Sequence, residues 1–567
     1  MKQMFKLLRF IKGKTAAAIA APLCKLLEAI AELAVPIIVA NVIDIGIARG
    51  DSGYVIKYCS IIAVLAVGGF LISVTGQYLA SKVALYFGTR LRAETFKHVN
   101  SLSTETHDRI GGASLVTRLT GDVVGCQSFV NMTLRLVLRL PFVVIGAFVM
   151  SMIIDPVLAL MFLAMTVVLT AVITCVIKLT LPRVRKAQKN LDETARLSSQ
   201  SLSGARVIRA FSKQSAAKAE FNAAAEETAK TNIGAARISA LLTPLTFAVV
   251  NLAIIAVLWF GGMKVESGRL SQGNLVALIN YLTQAFFVIV NIGNVFSVFT
   301  RSSACAARVN EILDAPLPED GELDEVDETA AEVVRFEGVC FAYDGDYDVR
   351  GVSFSLEKDK TLGIIGGTGS GKTTIISLIE RFYTPDEGEI YFCGKPAASY
   401  RAAAMRKRIG FVPQRAAVIA GTLDKNLRIA DESVTEEREI KALELAQAKE
   451  LLASHGLDGR IAAGGKNLSG GQRQRVNIAR ALCRDNILYL FDDSTSALDY
   501  KTEREFIDAM KSVSGAKIYV SQRISAVSGC DEILVLDGGK VVGRGTHETL
   551  KATCPLYAEF CASQGGK

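Results

Sequence analysis

The residues TLGIIGGTGSGKTTIISLI, 361–379, carry the densest chemical signal in this chain of 567 residues. Within them Gly366, Gly367, Thr368, Gly369, Ser370, Gly371, Lys372 and Thr373 follow the pattern G-x-x-x-x-G-K-T, and Thr374 leads into the apolar run behind it. An apolar strand before the loop and an apolar helix after it are the context this pattern needs. Glycines let backbone N–H groups turn toward phosphate oxygens, and the helix N-terminus adds its dipole. Lys372 supplies a cation and Thr373 offers a hydroxyl to Mg2+. Further along, ILYLFDD at 487–493 reads as an apolar strand ending in carboxylates, where Asp492 is placed to hold the Mg2+ shell. ATP with Mg2+ is the ligand expected at these two motifs.

The elements around these motifs differ sharply along the chain. Half the residues are hydrophobic, 21% are charged and the mean hydropathy is +0.32, which excludes a disordered chain and an ordinary soluble enzyme. Residues 1–314 hold 32 Lys and Arg against 17 Asp and Glu, net +15, while residues 315–567 hold 32 against 39, net −7. A basic apolar half ahead of an acidic mixed half points to a membrane domain fused to a soluble one, with no nucleic-acid partner.

Residues 156–177, 238–263 and 270–300 contain no charged side chain, and a bilayer core needs about 20 apolar residues per helix. Three less clean spans run over about 15–43, with Lys25, Glu28 and Glu32, over 55–81, and over 133–154, with Arg135 and Arg139 at its start. Six spans put both ends of the chain on one side. The long connections 82–132 and 178–237 are rich in cations, the second holding twelve Lys and Arg, so the positive-inside rule places the long loops and both termini in the cytoplasm. Their Ala, Leu, Glu and Lys content predicts that helices continue far beyond the bilayer. Asn280, Gln284, Asn291 and Asn294 share one helical face, which either lines a polar cavity or binds neighbouring helices. Glu28 and Glu32 read as partners of Lys25 and backbone ahead of a substrate or proton site. The 11 cysteines form no CxxC pair and the four histidines are dispersed, which predicts a reducing compartment and no metal cluster. The basic start MKQMFKLLRFIKGK runs into a long span without a cleavage-like site, so no signal peptide is expected.

Between the two nucleotide motifs lies NLSGGQRQR, 467–475. With it in place the sequence resembles the ATP-binding cassette family, whose signature pentapeptide stands here as Leu468, Ser469, Gly470, Gly471 and Gln472. The resemblance implies that Tyr343 stacks on adenine, that Gln414 in FVPQ is the Q-loop residue at the metal beside Thr373 and Asp492, and that Ser496–Asp499 is the D-loop. Six spans ahead of one cassette look like the half-transporters of the exporter type, similar to multidrug exporters. The expected fold is an all-α six-helix transmembrane domain over 1–314, a linker over 315–331 and an α/β P-loop nucleotide-binding domain over 332–567. Family resemblance further implies coupling helices near 104–112 and 201–213, and two cassettes closing head to tail. Each ATP then lies between the phosphate loop of one chain and the signature of another. The helix N-terminus at Ser469–Gly471 suits that task, because its free N–H groups face a γ-phosphate across the interface.

Two departures from the family pattern stand out. Asp493 occupies the place of the usual Glu that polarises water, one methylene shorter, and Gln522 in S-Q-R occupies the place of the usual switch histidine. Catalytic geometry is sensitive to about 1 Å, and Gln522 donates a hydrogen bond without becoming cationic. Together they predict a chain that binds ATP but hydrolyses it poorly at its own site, paired with a different half-transporter to which it lends an intact signature. The expected function is ATP-driven export of a drug-like, lipid or peptide substrate across the cytoplasmic membrane. A homodimeric exporter and a cassette used as a regulatory or channel switch are the alternatives.

Overall fold

The apolar runs of the first half form helices longer than a bilayer requires. In the computed structural model, which describes residues 2–137 and 139–564 but not the side chains of 290–294, 296 and 297, six helices are long and apolar enough to cross a membrane among the described residues: Thr15–Ile47, Ser52–Ser101, Gly112–Ile154, Pro156–Ser203, Gln214–Glu266 and Gln272–Ile289. Ser52–Ser101 has 50 residues and Pro156–Ser203 has 48, against the roughly 20 that span hydrocarbon. The surplus is the helical extension expected of the long loops. Residues Met1–Asn100 and Gly111–Ala315 make one unit, and Ser101–Ile110 with Pro316–Lys567 make a second.

Asp155 explains the sharp turn between the third and fourth spans. It precedes Pro156, and its Oδ1 accepts from the N–H groups of Val157 and Leu158 at 2.9 and 3.0 Å. That is an N-cap with proline at the first helical position. The same carboxylate takes Lys264 Nζ at 2.6 Å, which ties in the end of the fifth span.

Charges of the first and third spans meet one another. Lys25 Nζ donates to Glu28 Oε2 at 2.6 Å and to Ser73 Oγ at 2.9 Å. Arg139 Nη2 donates to Glu32 Oε2 at 2.8 Å and lies 3.7 Å from Glu28 Oε1. Two cations thus neutralise two carboxylates, as a low-dielectric setting demands. The sequence reading named Lys25 as a partner; Arg139 comes from a different helix. On the polar face of the last span, Asn280 is exposed and donates to Val276 O of its own helix at 3.0 Å. Gln284 Oε1 is buried without a partner, and the side chains of Asn291 and Asn294 lie outside the described residues.

In the second unit a six-stranded sheet runs in the order Lys540–Gly545, Glu532–Asp537, Thr361–Gly366, Ala516–Ser521, Leu488–Asp492, Ile409–Val412. All neighbours are parallel except the first pair. Leu488–Asp492 and Ala516–Ser521 are buried at every position, as expected of parallel strands covered on both faces. A four-stranded antiparallel sheet, Val349–Glu357, Glu332–Phe341, Glu387–Phe392, Lys395–Pro396, adjoins it. Phe336, Phe354, Leu362, Ile376 and Val520 close the core that the two sheets share.

Arg139→Ala leaves Glu32 unpaired in an apolar helix. It is expected to lower stability in detergent by on the order of 2 kcal/mol, or about 3 °C in the melting midpoint. The double variant Arg139→Ala with Glu32→Gln should recover most of that loss in the same melting assay.

Candidate functional site

Three parallel strands end side by side. Register pairs Ile365 with Ser521 and Val520 with Asp492, so Gly366, Asp492, Asp493 and Gln522 arrive at one carboxyl edge. In α/β sheets this edge is where ligands bind.

The loop after Gly366 is shaped by close backbone approach. A Cβ at Gly366 would stand 2.3 Å from Leu536 O and 2.6 Å from Ser370 Oγ, and one at Gly371 would stand 2.6 Å from Asp348 O. Gly369 and Gly371 sit at φ +79° and +93°, the left-handed region glycine enters without strain. Gly367, Thr368 and Gly369 are exposed at the loop tip, and Thr374 is buried in the helix Lys372–Ile379. Lys372 Nζ donates to Gly366 O at 2.8 Å, to Gly367 O at 2.6 Å and to Ser370 Oγ at 3.3 Å. Burial pulls its pKa down while Asp493 and Asp492 push it back up. The ammonium is therefore held inside the loop on neutral oxygens.

Thr373 Oγ1 donates to Asp492 Oδ1 at 3.0 Å. Burial pushes the Asp492 carboxyl up to about 6, and the neighbouring Asp493 adds to the rise against Thr373 and Lys372. A desolvated carboxylate beside a hydroxyl is a hard-oxygen corner that suits Mg2+. Gln414 is exposed just past the strand Ile409–Val412 and favours the charged form of the Asp493 carboxylate. These donors fit the ion.

Asp493 takes a left-handed backbone, φ +44°. Its N–H donates to Val520 O at 2.8 Å and its carbonyl accepts from Ser496 Oγ at 2.7 Å. The pKa of its side chain is raised by burial, with Gln414, Lys372 and Arg523 working against the rise. Gln522, just past the end of Ala516–Ser521, is exposed.

Tyr343 is 47% exposed. It meets Phe341 and Tyr383 edge-on at 5.0 and 4.9 Å between centroids, which leaves it available to stack on a flat ring. Tyr383 in turn donates to Asp108 Oδ2 at 2.7 Å, on the short helix Thr104–Ile110. The other short helix expected of a long loop is Ala205–Ala210.

Ser469 caps the helix Gly470–Leu482 in a reciprocal box: Gln472 N–H donates to Ser469 Oγ at 3.2 Å, and Ser469 N–H donates to Gln472 Oε1 at 2.8 Å. These bonds are local. They preset the helix N-terminus with Gly470 exposed and Gly471 half-buried, while the phosphate loop, Gln414, Asp492, Asp493 and Gln522 gather at the sheet edge.

Sequence reasoning gave no role to Arg523. Its guanidinium donates to Leu498 O at 3.2 Å and Ser496 O at 3.0 Å and stands 3.5 Å from the buried Glu503. The arginine is visible in the S-Q-R triplet, but its carbonyl partners carry no sequence signature.

The ABC transporter transmembrane region family matches residues 18–290, and the ABC transporter family matches residues 349–496. The chain belongs to the ABC transporters. An "Uncharacterized ABC transporter ATP-binding protein" of Mycobacterium tuberculosis is 34% identical over 559 residues, covering 95% of this chain and 94% of the relative. An ATP-dependent lipid A-core flippase of Idiomarina loihiensis is 30% identical over 565 residues, covering 97% and 96%. A bacterial Atm1-family ABC exporter solved with ATP bound superposes with a TM-score of 0.82 at 23% identity, over 98% of this chain and 99% of the other, and so shares the fold. This ABC transporter is therefore a multi-pass membrane ATPase of exporter architecture, a transmembrane domain followed by one ATP-binding cassette. Half-transporters of this kind dimerise and act on substrates in the bilayer.

Lys372→Ala removes a charge-assisted phosphate contact, worth roughly 1.5–3 kcal/mol and hence about tenfold or more in ATP affinity. Photolabelling of this chain with an azido-ATP analogue should fall by that factor while the melting midpoint stays within about 2 °C.

Proposed function

We propose that this chain is the weakly hydrolysing half of a heterodimeric exporter of the cytoplasmic membrane. Its termini and cassette face the cytoplasm, and residues 315–331 join its two domains. The observation that carries this reading is the split between binding and reacting residues: Tyr343, Lys372, Thr373 and Asp492 are retained, whereas Asp493 and Gln522 both depart toward weaker hydrolysis.

Tyr343 stacks on adenine. Gly366–Thr374 wrap the phosphates with backbone N–H groups, and Lys372 leaves the carbonyls of Gly366 and Gly367 for the β- and γ-phosphate oxygens. Thr373, Asp492 and Gln414 hold Mg2+, which neutralises phosphate charge when bound. Asp493 stands at the position of the base. Its backbone is pinned to Val520 O and Ser496 Oγ, so the missing methylene is not made up by a shift of the chain. A base displaced by about 1 Å costs on the order of 10²-fold. Gln522 donates a neutral hydrogen bond to the γ-phosphate. Ser469, Gly470, Gly471 and Gln472 complete the partner's site in trans. ATP favours closed cassettes, and closure favours one facing of the membrane helices, which moves a drug-like, lipid or peptide substrate.

The likeness to a lipid A-core flippase favours a second reading, a homodimer exporting a lipid with two equal sites. Steady-state hydrolysis by the purified assembly separates the two. Gly471→Asp should lower total ATPase at least tenfold, and Asp493→Asn by less than twofold; equal losses would reject the asymmetric reading. Expressed without its genomic neighbour, the chain should retain less than about a tenth of the paired ATPase, whereas robust activity alone establishes the homodimer.

A further inference from the structure

The backbone of the switch segment is held by a residue some 40 positions away. Gln564, in the last turn of the helix Pro555–Gln564, uses both ends of its amide: Nε2 donates to Gln522 O at 2.8 Å, and Oε1 accepts from Ile524 N–H at 2.8 Å. The primary amide serves both, because one group needs a donor and the other an acceptor. The helix that presents it is anchored. Tyr557 is fully buried and its hydroxyl lies 2.8 Å from His547 Nδ1, while Leu556 and Phe560 pack against the core. On the side toward the D-loop, Arg523 fastens the same segment to the carbonyls of Ser496 and Leu498. Gln522 thus sits between two clamps, with its main chain immobilised and its side chain exposed.

We infer that Gln564 is a positioning residue for Gln522, so that this helix sets how firmly the chain's own site holds nucleotide. The inference rests on the proposed role of Gln522 at the γ-phosphate. Gln564 touches no nucleotide in this scheme and acts only through the backbone at 522–524. A displacement of about 1 Å there is enough to lose a hydrogen bond.

The test uses the purified full-length assembly loaded with 8-azido-ATP. It is chased with unlabelled ATP and photocrosslinked at intervals, with label read on this chain's band. Gln522→Ala and Gln564→Ala are each expected to shorten retention about fivefold, the factor a single neutral hydrogen bond contributes. The double variant should be no shorter than either alone, since one pathway is cut twice. Gln564→Glu keeps the helix and an acceptor for Ile524 but gives Gln522 O no donor, and it should shorten retention as well, with an unchanged melting midpoint. Normal retention in both Gln564 variants, or effects that multiply in the double variant, would overturn the inference. Gln522→Ala without effect would remove the site reading itself, and the inference with it.

Discussion

The cassette depends on one constraint, the turn by which a buried strand ending at Gly366 becomes a helix beginning at Lys372. Cβ atoms at Gly366 and Gly371 would collide with Leu536 O and Asp348 O, so the neighbouring strands fix the loop as firmly as its own bonds do. Inside the turn, Lys372 is held on two carbonyls by burial and geometry together. Those neutral oxygens keep the ammonium from being a bare buried charge. Thr373, on the helix that follows, and Asp492, two strands over, complete the edge.

Around that edge, position is set by backbone contacts as much as by side chains. Asp493 is tied to Val520 and Ser496, Arg523 to Ser496 and Leu498, and Gln564 to Gln522 and Ile524. Asp493, the turn Ser496–Leu498 and the segment Gln522–Ile524 are therefore one connected network. A change in any of the three is felt by the others, because hydrogen-bond networks of this kind are coupled and not additive.

The membrane half solves a different problem. Its charges sit in long apolar helices where an unpaired group is costly, and the fold meets several with a partner on another helix: Arg139 for Glu32, Lys264 for Asp155, Ser73 beside Lys25. These contacts knit the first, second and third spans together, and the fourth to the fifth. They assign Glu28 and Glu32 a structural task in this conformation.

Periodicity, charge and spacing determined the larger outline from the sequence alone. Runs of about 20 uncharged residues can only be satisfied as helices in lipid, and a glycine-rich loop between an apolar strand and an apolar helix has few uses. For the same reason the phosphate loop, Asp492 and the signature were legible, since each is a local pattern whose chemistry travels with it. Tertiary structure alone decided the pairings between distant positions. Nothing in the spacing of Arg139 and Glu32, of Arg523 and Leu498, or of Gln564 and Gln522 announces a contact, because a backbone carbonyl has no residue type and a lone glutamine has no motif. Such contacts come into being only when strands and helices far apart in the chain are packed to within hydrogen-bond distance.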